Sequence, residues 1–158
     1  MNRILFWLSG FLPWRVISDG KRPYLDRFYI CTFLGVRYYL HRFTGSDPGR
    51  GKHNHPWLWA LSFVLWRRYF EDRRSGTRTI RWFNFLIGDT FHRINLPPGI
   101  TEVWTLFCHH AKDSQPWGYL NEDAAGNIVF KEHIYPIHYD KAWWKSAASR
   151  RQIERSKK

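Results

Sequence analysis

Three histidines give the clearest indication of chemistry in this chain. His53 and His55 are separated by one residue, and His92 follows further along the sequence. Side chains of an extended strand alternate between its two faces, so His53 and His55 are expected to point to the same side. A third imidazole from a partner strand, His92, can then close on the same point. Three neutral imidazoles with an open position suit a divalent transition metal such as iron, zinc, copper or nickel.

The elements that must position these histidines are predicted to be β-strands. Aromatic and β-branched runs at 24–33 and 36–43 predict a hairpin. A loop rich in Gly, Ser and Pro at 44–51 then leads the backbone into His53. The apolar run 57–70 is long for one strand, and its periodicity alone fits a helix or two strands. The extended residues before it and the turn after it favour two strands.

The rest of the chain continues this pattern between two short helices. The helices are predicted over about residues 1–12 and from residue 140 onward. Further strands are predicted at 77–86, 94–96, 101–108, 117–120 and 128–135. Many short strands separated by turns indicate an antiparallel sandwich or barrel. We expect one domain, 1–158, with an N-terminal helical arm (1–20), a β-barrel (21–138) and a basic C-terminal helix and tail (139–158).

The histidines belong to a wider pattern that resembles the cupin superfamily. Its two motifs are Gly51-x-His53-x-His55 and Gly88-Asp89-Thr90-Phe91-His92. A longer pattern, over about residues 24–120, is similar to small cupin-like proteins of bacteria and phages. That pattern comprises Tyr39-Leu40-His41-Arg42-Phe43, Asp47-Pro48-Gly49-Arg50, His53-x-His55-Pro56-Trp57, Trp104-Thr105-Leu106-Phe107 and Trp117-Gly118-Tyr119. The resemblance implies an all-β fold, a cupin-like jelly-roll barrel of two antiparallel sheets with a metal at its centre.

The resemblance also implies a ligand set. Many cupins place a glutamate a few residues past the paired histidines as a further ligand, but this chain has Trp59, Ala60 and Leu61 there. The resemblance therefore favours a three-histidine site, as in thiol-dioxygenase-like cupins. Fe(II) is the preferred divalent metal, with Zn, Ni, Mn and Cu as alternatives. The missing glutamate also leaves open that the site has lost its metal.

Two neighbouring residues, His41 and Arg42, are the candidate catalytic residues because they lie on the strand just before the 44–51 loop. Neighbouring strand residues face opposite ways, so only one of them can point into the barrel. An inward Arg42 would anchor a carboxylate or phosphate. An inward His41 would instead offer an acid/base group. A plain structural role is the alternative for both.

Several other side chains could border the pocket or support the ligands. The aromatic and histidine candidates are Tyr39, Trp57, Trp104, Phe107, His109 and His110. Aromatic residues in strands more often belong to the core, and only one of two adjacent histidines can face inward. Asp89 could orient a ligand, although a Gly-Asp pair is common in turns and a turn residue is the expectation.

The net charge restricts the partners. The chain has 25 Lys and Arg against 13 Asp and Glu, a formal charge of +12. Such a balance favours contact with anions, and we expect a small anionic substrate. Nucleic acid is the alternative partner, because basic residues interleaved with Trp and Tyr allow phosphate contacts and base stacking. No recognisable nucleic-acid motif supports that alternative.

The N-terminal segment and the cysteines bear on where in the cell the protein is located. Residues 1–14 are too short an apolar run to span a bilayer, and they lack the small-residue cleavage site of a secretory signal peptide. A helix packed against the domain is expected there, with peripheral membrane contact as the alternative. Cys31 and Cys108 are the only cysteines, so the sequence has no disulfide framework and a cytoplasmic location is expected, with a single bridge between these two as the alternative.

These features predict a metal-dependent enzyme, namely a non-haem iron oxygenase or dioxygenase acting on a small anionic substrate held in the barrel. Metal-assisted isomerisation also fits, because barrel and ligands do not determine the reaction. The alternatives are a non-catalytic metal- or ligand-binding cupin module and a basic nucleic-acid-binding protein. The sequence contains no P-loop, dinucleotide fingerprint, nucleophile elbow or zinc-finger spacing, which excludes those classes.

Overall fold

The computed structural model describes residues 1–135 and 139–157, and within them the chain is built mainly from β-strands. The helices are α1 (Asn2–Ser9) and α2 (Arg150–Ser156), with a 3₁₀ turn at Trp143–Lys145. The strands are β1 (Trp14–Ser18), β2 (Pro23–Phe33), β3 (Val36–Phe43), β4 (Lys52–His53), β5 (Trp59–Trp66), β6 (Tyr69–Arg73), β7 (Gly76–Ile80), β8 (Phe83–Ile87), β9 (His92–Asn95), β10 (Val103–His110), β11 (Gly118–Glu122) and β12 (Ile128–Glu132).

The strands form two antiparallel sheets, as the sequence predicts for an all-β fold. The first sheet has the order β1-β2-β3-β10-β5-β8, and the second has the order β12-β11-β4-β9-β6-β7. One apolar cluster joins the inner faces, where Leu25, Phe43 and Val103 of the first sheet meet Tyr69 and Ile80 of the second. The apolar side chains between the sheets therefore hold the two layers together.

Two predicted runs are divided because the chain passes from one sheet to the other. The 57–70 run becomes β5 in the first sheet and β6 in the second, with a break at Arg67, whose φ is 69°. The 77–86 run was predicted as one strand, and this is wrong. It is split into β7 and β8, which belong to different sheets. Each division lets one stretch of sequence contribute a strand to both layers.

The N-terminal arm contains more than the predicted helix. α1 ends at Ser9, and β1 then pairs with β2 at the edge of the first sheet, so residues 1–20 are not a purely helical arm. Leu5 packs on Phe28 and Trp104 at the outer face of that sheet, whereas Trp7 is exposed. None of the helices in the described residues has the length and apolar character that a bilayer crossing demands. Peripheral membrane contact through residues 1–14 stays a prediction.

The C-terminal segment is less helical than predicted. After the 3₁₀ turn, α2 begins at Arg150, and the N-cap residue before it, Ser149, forms a capping box with Gln152. Trp143 packs against Tyr39 and Phe107 of the first sheet, so this segment covers one end of the barrel interior. The predicted boundary at residue 138 and the final residue of the basic tail lie outside the described residues.

Close backbone contacts bring the histidine motifs together. The Gly88 carbonyl accepts the backbone N–H of His55 at 3.0 Å, and the Gly88 N–H donates to the Leu58 carbonyl at 3.0 Å. A Cβ atom at Gly88 would clash with the Trp57 carbonyl oxygen. Glycine is therefore required at residue 88 so that the turn before His92 can lie against the segment that carries His55.

We expect Gly88→Ala to lower the free energy of unfolding by about 1–3 kcal/mol, because the methyl group forces two backbone segments apart. Gly49→Ala is the matched control, since a Cβ there meets nothing within 4 Å and its φ is not positive. Urea denaturation of both variants measures the difference. Equal stability of the two variants would contradict the close-approach explanation.

Candidate metal centre

The three histidines lie on or beside adjacent strands of the second sheet. β4 ends at His53, which stands in register opposite His92, the first residue of β9. His55 comes two residues after His53, and its backbone is held against the loop that precedes β9. Strand alternation and antiparallel pairing thus bring together the residues that the sequence analysis selected as metal ligands.

The three imidazole rings converge on one point. One ring nitrogen of each of His53, His55 and His92 lies within 4.8 Å of the others. The Nε2 atoms of His55 and His92 are 2.9 Å apart. Imidazole nitrogens that bind one ion at about 2.1 Å lie about 3 Å or slightly more from each other. The spacing is therefore close to that of a three-histidine metal centre.

A buried glutamate that the sequence analysis missed, Glu71 on β6, orients His92. Glu71 is fully buried, and its Oε1 lies 2.8 Å from His92 Nδ1. An ionised carboxylate can only accept, so Nδ1 carries the proton and donates it. His92 Nε2 consequently carries a lone pair, and it faces His55 Nε2 at 2.9 Å. A carboxylate behind a metal-binding histidine commonly has this role.

Other donors keep Glu71 ionised. Asn84 Nδ2 donates to Oε1 at 2.7 Å, while Arg73 Nε and Arg78 Nε donate to Oε2 at 2.8 and 2.7 Å. Burial by itself raises the pKa of this carboxyl, but hydrogen bonds from His92, Asn84 and Arg78 outweigh it and hold the pKa well below its ordinary value. Two of the many arginines of this chain therefore serve one buried carboxylate.

The other two imidazoles are held in their neutral form. Burial is the main cause that lowers the pKa of His53 and of His55 well below the ordinary histidine value, and the neighbouring imidazoles of the cluster would disfavour a positive charge there as well. Neutral imidazole is the form that binds a metal. The donor set, its spacing and the fixed tautomer of His92 therefore fit a divalent transition metal.

Asp89, the carboxylate that the sequence analysis weighed as an orienting group, is exposed in the turn between β8 and β9. The Thr90 N–H donates to the Ile87 carbonyl across this turn at 3.0 Å. Asp89 is therefore a turn residue here, and the orienting contact comes from Glu71.

A cavity of about 570 Å³ lies between the two sheets, and the three histidines line it. Of the two catalytic candidates, His41 faces this cavity and Arg42 does not. Arg42 lies on the outer face of β3, where its Nε donates to Glu102 at 2.8 Å and its Nη1 lies 3.4 Å from Asp26. The expected anchoring role of Arg42 inside the barrel is thus wrong, because its strand position turns it outward.

One guanidinium that does face the cavity belongs to Arg27, which the sequence analysis missed. Arg27 on β2 stands opposite His41 on β3, and its Nε donates to His41 Nε2 at 3.0 Å. His41 Nε2 therefore accepts, which requires a neutral ring with its proton on Nδ1. Burial, and secondly the charge of Arg27, lower the pKa of His41 well below its ordinary value. His41 thus positions Arg27, and the lone pair expected to act as a base is already engaged.

The aromatic candidates divide between the cavity and the outer face. Tyr39, Trp57 and Phe107 line the cavity, as does His109, whose ring stacks on Trp57 with centroids 3.7 Å apart. Trp104 instead packs beneath α1 on the outer face of the first sheet. The cavity wall therefore combines aromatic rings with charged and polar side chains.

Comparisons with known proteins support the fold alone. No family model matches the sequence, and no curated protein matches it. A cupin-2 domain protein of Rhodospirillum rubrum is 11% identical with a TM-score of 0.53, covering 73% of this chain and 78% of that one. A cupin-like protein of Thermotoga maritima is 15% identical with a TM-score of 0.51, covering 66% and 83%. The Fe(II) form of HppE is 10% identical with a TM-score of 0.52, covering 62% and 56%.

The chain thus has a cupin-like jelly-roll fold with a three-histidine cluster inside it. It spans little more than half of the length of HppE. The residues that resemble cupin motifs in the sequence are the same residues that meet in the interior, so the predicted fold class is confirmed.

We expect acid to destabilise the metal-free protein before its carboxylates titrate. Burial lowers the pKa of His41, His53 and His55, and that of His109 to about 3. The folded state then binds fewer protons than the unfolded chain once the pH falls below about 6.5, the unfolded value. Each such histidine costs about 1.4 kcal/mol per pH unit between its two pKa values.

Urea denaturation in a chelating buffer at pH 7.5, 6.5 and 5.5 measures this loss, which is small above pH 6.5 and steep below it. His109→Gln removes one of these histidines. The free energy of unfolding of this variant should therefore fall with pH less steeply below pH 6.5, by about 1.4 kcal/mol per pH unit. A stability that stays constant from pH 7.5 to 5.5 would show that these imidazoles are not held neutral.

Proposed function

We propose that this protein is a metal-dependent cupin-fold enzyme that binds one divalent ion through His53, His55 and His92. The observation that carries the proposal is the convergence of three ring nitrogens, one of which has its tautomer set by Glu71. A structural role for three histidines would not require that buried ionic support, since burying a carboxylate is costly unless it is fully hydrogen-bonded.

Fe(II) is the preferred ion and an oxygenase or dioxygenase the preferred reaction class. Three neutral nitrogen ligands suit iron, and Fe(II) HppE is among the proteins of similar fold. When bound, such an ion would supply open coordination positions and redox chemistry with dioxygen. Zn, Ni, Mn and Cu remain alternative ions for the same ligands.

The residues of this chain would hold and orient both ion and substrate. His53 and His55 offer neutral lone pairs, and Glu71 keeps the proton of His92 on Nδ1. The stacked rings of His55, Trp57 and His109 form an aromatic part of the wall next to the cluster. These contacts would fix the orientation of the His55 ring.

The charge of the cavity supports a small anionic substrate. Its lining includes more basic than acidic side chains, namely Arg15, Arg27, Arg37, Arg50 and Lys141 against Asp47 and Asp113. A cavity of this size accommodates a small organic molecule. Because Arg15 and Arg27 place positive charge on the cavity wall itself, a compact anion fits the site better than a nucleic-acid strand.

We predict that the protein, expressed without a histidine tag, binds one divalent ion per chain, and that His92→Ala removes it. Glu71→Gln keeps a hydrogen-bond acceptor but loses the charge, so it should weaken metal binding about 10- to 100-fold. Elemental analysis and competition with a chelator measure both effects.

His110→Ala is the matched control, because His110 is the neighbour of inward-facing His109 and does not line the cavity. It should bind metal as the wild type does. Wild-type protein without metal after reconstitution with Fe(II) or Zn(II), or a His92→Ala variant with full metal content, would remove the proposal.

A second prediction separates an oxygen-using iron site from a closed, purely structural one. We expect the Fe(II)-loaded protein to bind nitric oxide, an analogue of dioxygen, and to give a high-spin nitrosyl EPR signal, because three protein ligands leave positions open. Absence of the signal in protein that carries a full complement of iron would favour a non-catalytic metal-binding module.

A further inference from the structure

Two arginines stand side by side on the inner face of the first sheet, opposite the histidine cluster. Arg15 on β1 and Arg27 on β2 are direct cross-strand partners, and both line the cavity. Like charges placed directly opposite in neighbouring strands repel and destabilise the pair. Such an arrangement therefore calls for a negative charge between or beside the two guanidinium groups.

The protein itself does not provide that charge. Across residues 1–135 and 139–157, no carboxylate oxygen lies within 4.0 Å of the guanidinium of Arg15 or Arg27. Their contacts are instead uncharged, since Arg15 lies over the rings of Tyr139 and Trp143 at 5.4 and 5.1 Å. Arg27 lies over the Tyr39 ring at 5.3 Å. Aromatic faces hold a guanidinium in place but leave its charge uncompensated.

His41 gives Arg27 a fixed direction. It accepts from the Nε atom of Arg27, and within residues 1–135 and 139–157 the two terminal nitrogens of that guanidinium have no hydrogen-bond partner. Burial is the main cause that lowers the pKa of Arg27, and the charge of Arg15 adds to it. Arg27 is therefore oriented and poorly solvated, and the charge of the pair is not balanced by the described residues.

We propose that Arg15 and Arg27 together bind a doubly charged oxyanion, in chemical terms the phosphate group of a small phosphomonoester. Two guanidinium charges match a dianion, and the planar arginine fork pairs with two phosphate oxygens at once. The aromatic rings beneath the arginines leave an apolar wall for the organic part of the molecule. This inference deepens the proposed function and rests on it only for the reaction, since the anion site itself needs no metal.

Calorimetric titration of the metal-free full chain with inorganic phosphate, at fixed ionic strength, tests the site. We expect saturable binding to the wild type and at least tenfold weaker binding to Arg15→Gln and to Arg27→Gln. Arg50→Gln is the matched control, because it removes an exposed charge from the edge of the same cavity without touching the pair. It should weaken binding less than threefold. Acetate, a monoanion, should bind at least tenfold more weakly than phosphate.

Thermal unfolding gives a second readout that a merely structural arginine would not produce. Phosphate should raise the melting temperature of the wild type but not of Arg15→Gln. Without phosphate, Arg15→Gln should melt at the same temperature as the wild type or higher, because the substitution removes an uncompensated repulsion. A lower melting temperature of the phosphate-free variant would overturn the proposal.

The outcomes keep this site and the metal centre apart. If phosphate binds as expected but the wild type takes up no metal, the anion site stands and the enzymatic proposal falls. If the wild type does not bind phosphate, or if Arg50→Gln weakens binding as much as Arg27→Gln, the anion site is overturned whatever the metal analysis shows.

Discussion

The contact between Glu71 and His92 is the interaction on which the interior of this barrel depends. A carboxylate with no solvent access is stable only when its oxygens are fully hydrogen-bonded, and here Arg73, Arg78, Asn84 and His92 supply the donors. Because four strands contribute to this cluster, the network ties β6, β7 and β9 of the second sheet to β8 of the first. The same network decides which nitrogen of His92 carries the proton and thereby which one faces the other histidines. The hydrogen-bond network around Glu71 therefore contributes both to the packing of the strands and to the protonation of the histidine cluster.

The jelly-roll connections explain how residues that are distant in sequence reach this point. Where the chain crosses from one sheet to the other, consecutive strands belong to different layers. β6 therefore pairs with β9 in the second sheet, although β5, the strand before it, lies in the first. The glycine at residue 88 lets the turn before His92 lie against the backbone of His55. Strand β4 has only two residues, Lys52 and His53, so His55 lies beyond its paired part. The backbone contacts with residue 88, rather than strand pairing, therefore hold His55 in place.

Strand alternation made the histidines predictable from the sequence. His53 and His55 share a face through their spacing, and the resemblance to cupin motifs added His92. The same rule could not choose between His41 and Arg42, because alternation gives opposite faces without saying which face is inner. Glu71 and Arg27 were missed for a related reason. Their roles depend on cross-strand partners, His92 and His41, that only the sheet order brings next to them.

The composition gives the net charge of the chain but not which arginines have acidic partners. A surplus of basic residues suits a solvated surface, yet several arginines here have specific acidic partners. Arg42 pairs with Glu102 on the outer face, and Arg73 and Arg78 neutralise Glu71. Arg15 and Arg27 differ from these, because among the described residues they have aromatic rings and a neutral histidine beside them and no carboxylate partner. Since an arginine keeps its charge even when buried, unbalanced positive charge is placed on the wall of the cavity that the three imidazoles also line. An anion bound there would share this cavity with the histidine cluster, as the proposed reaction on an anionic substrate requires.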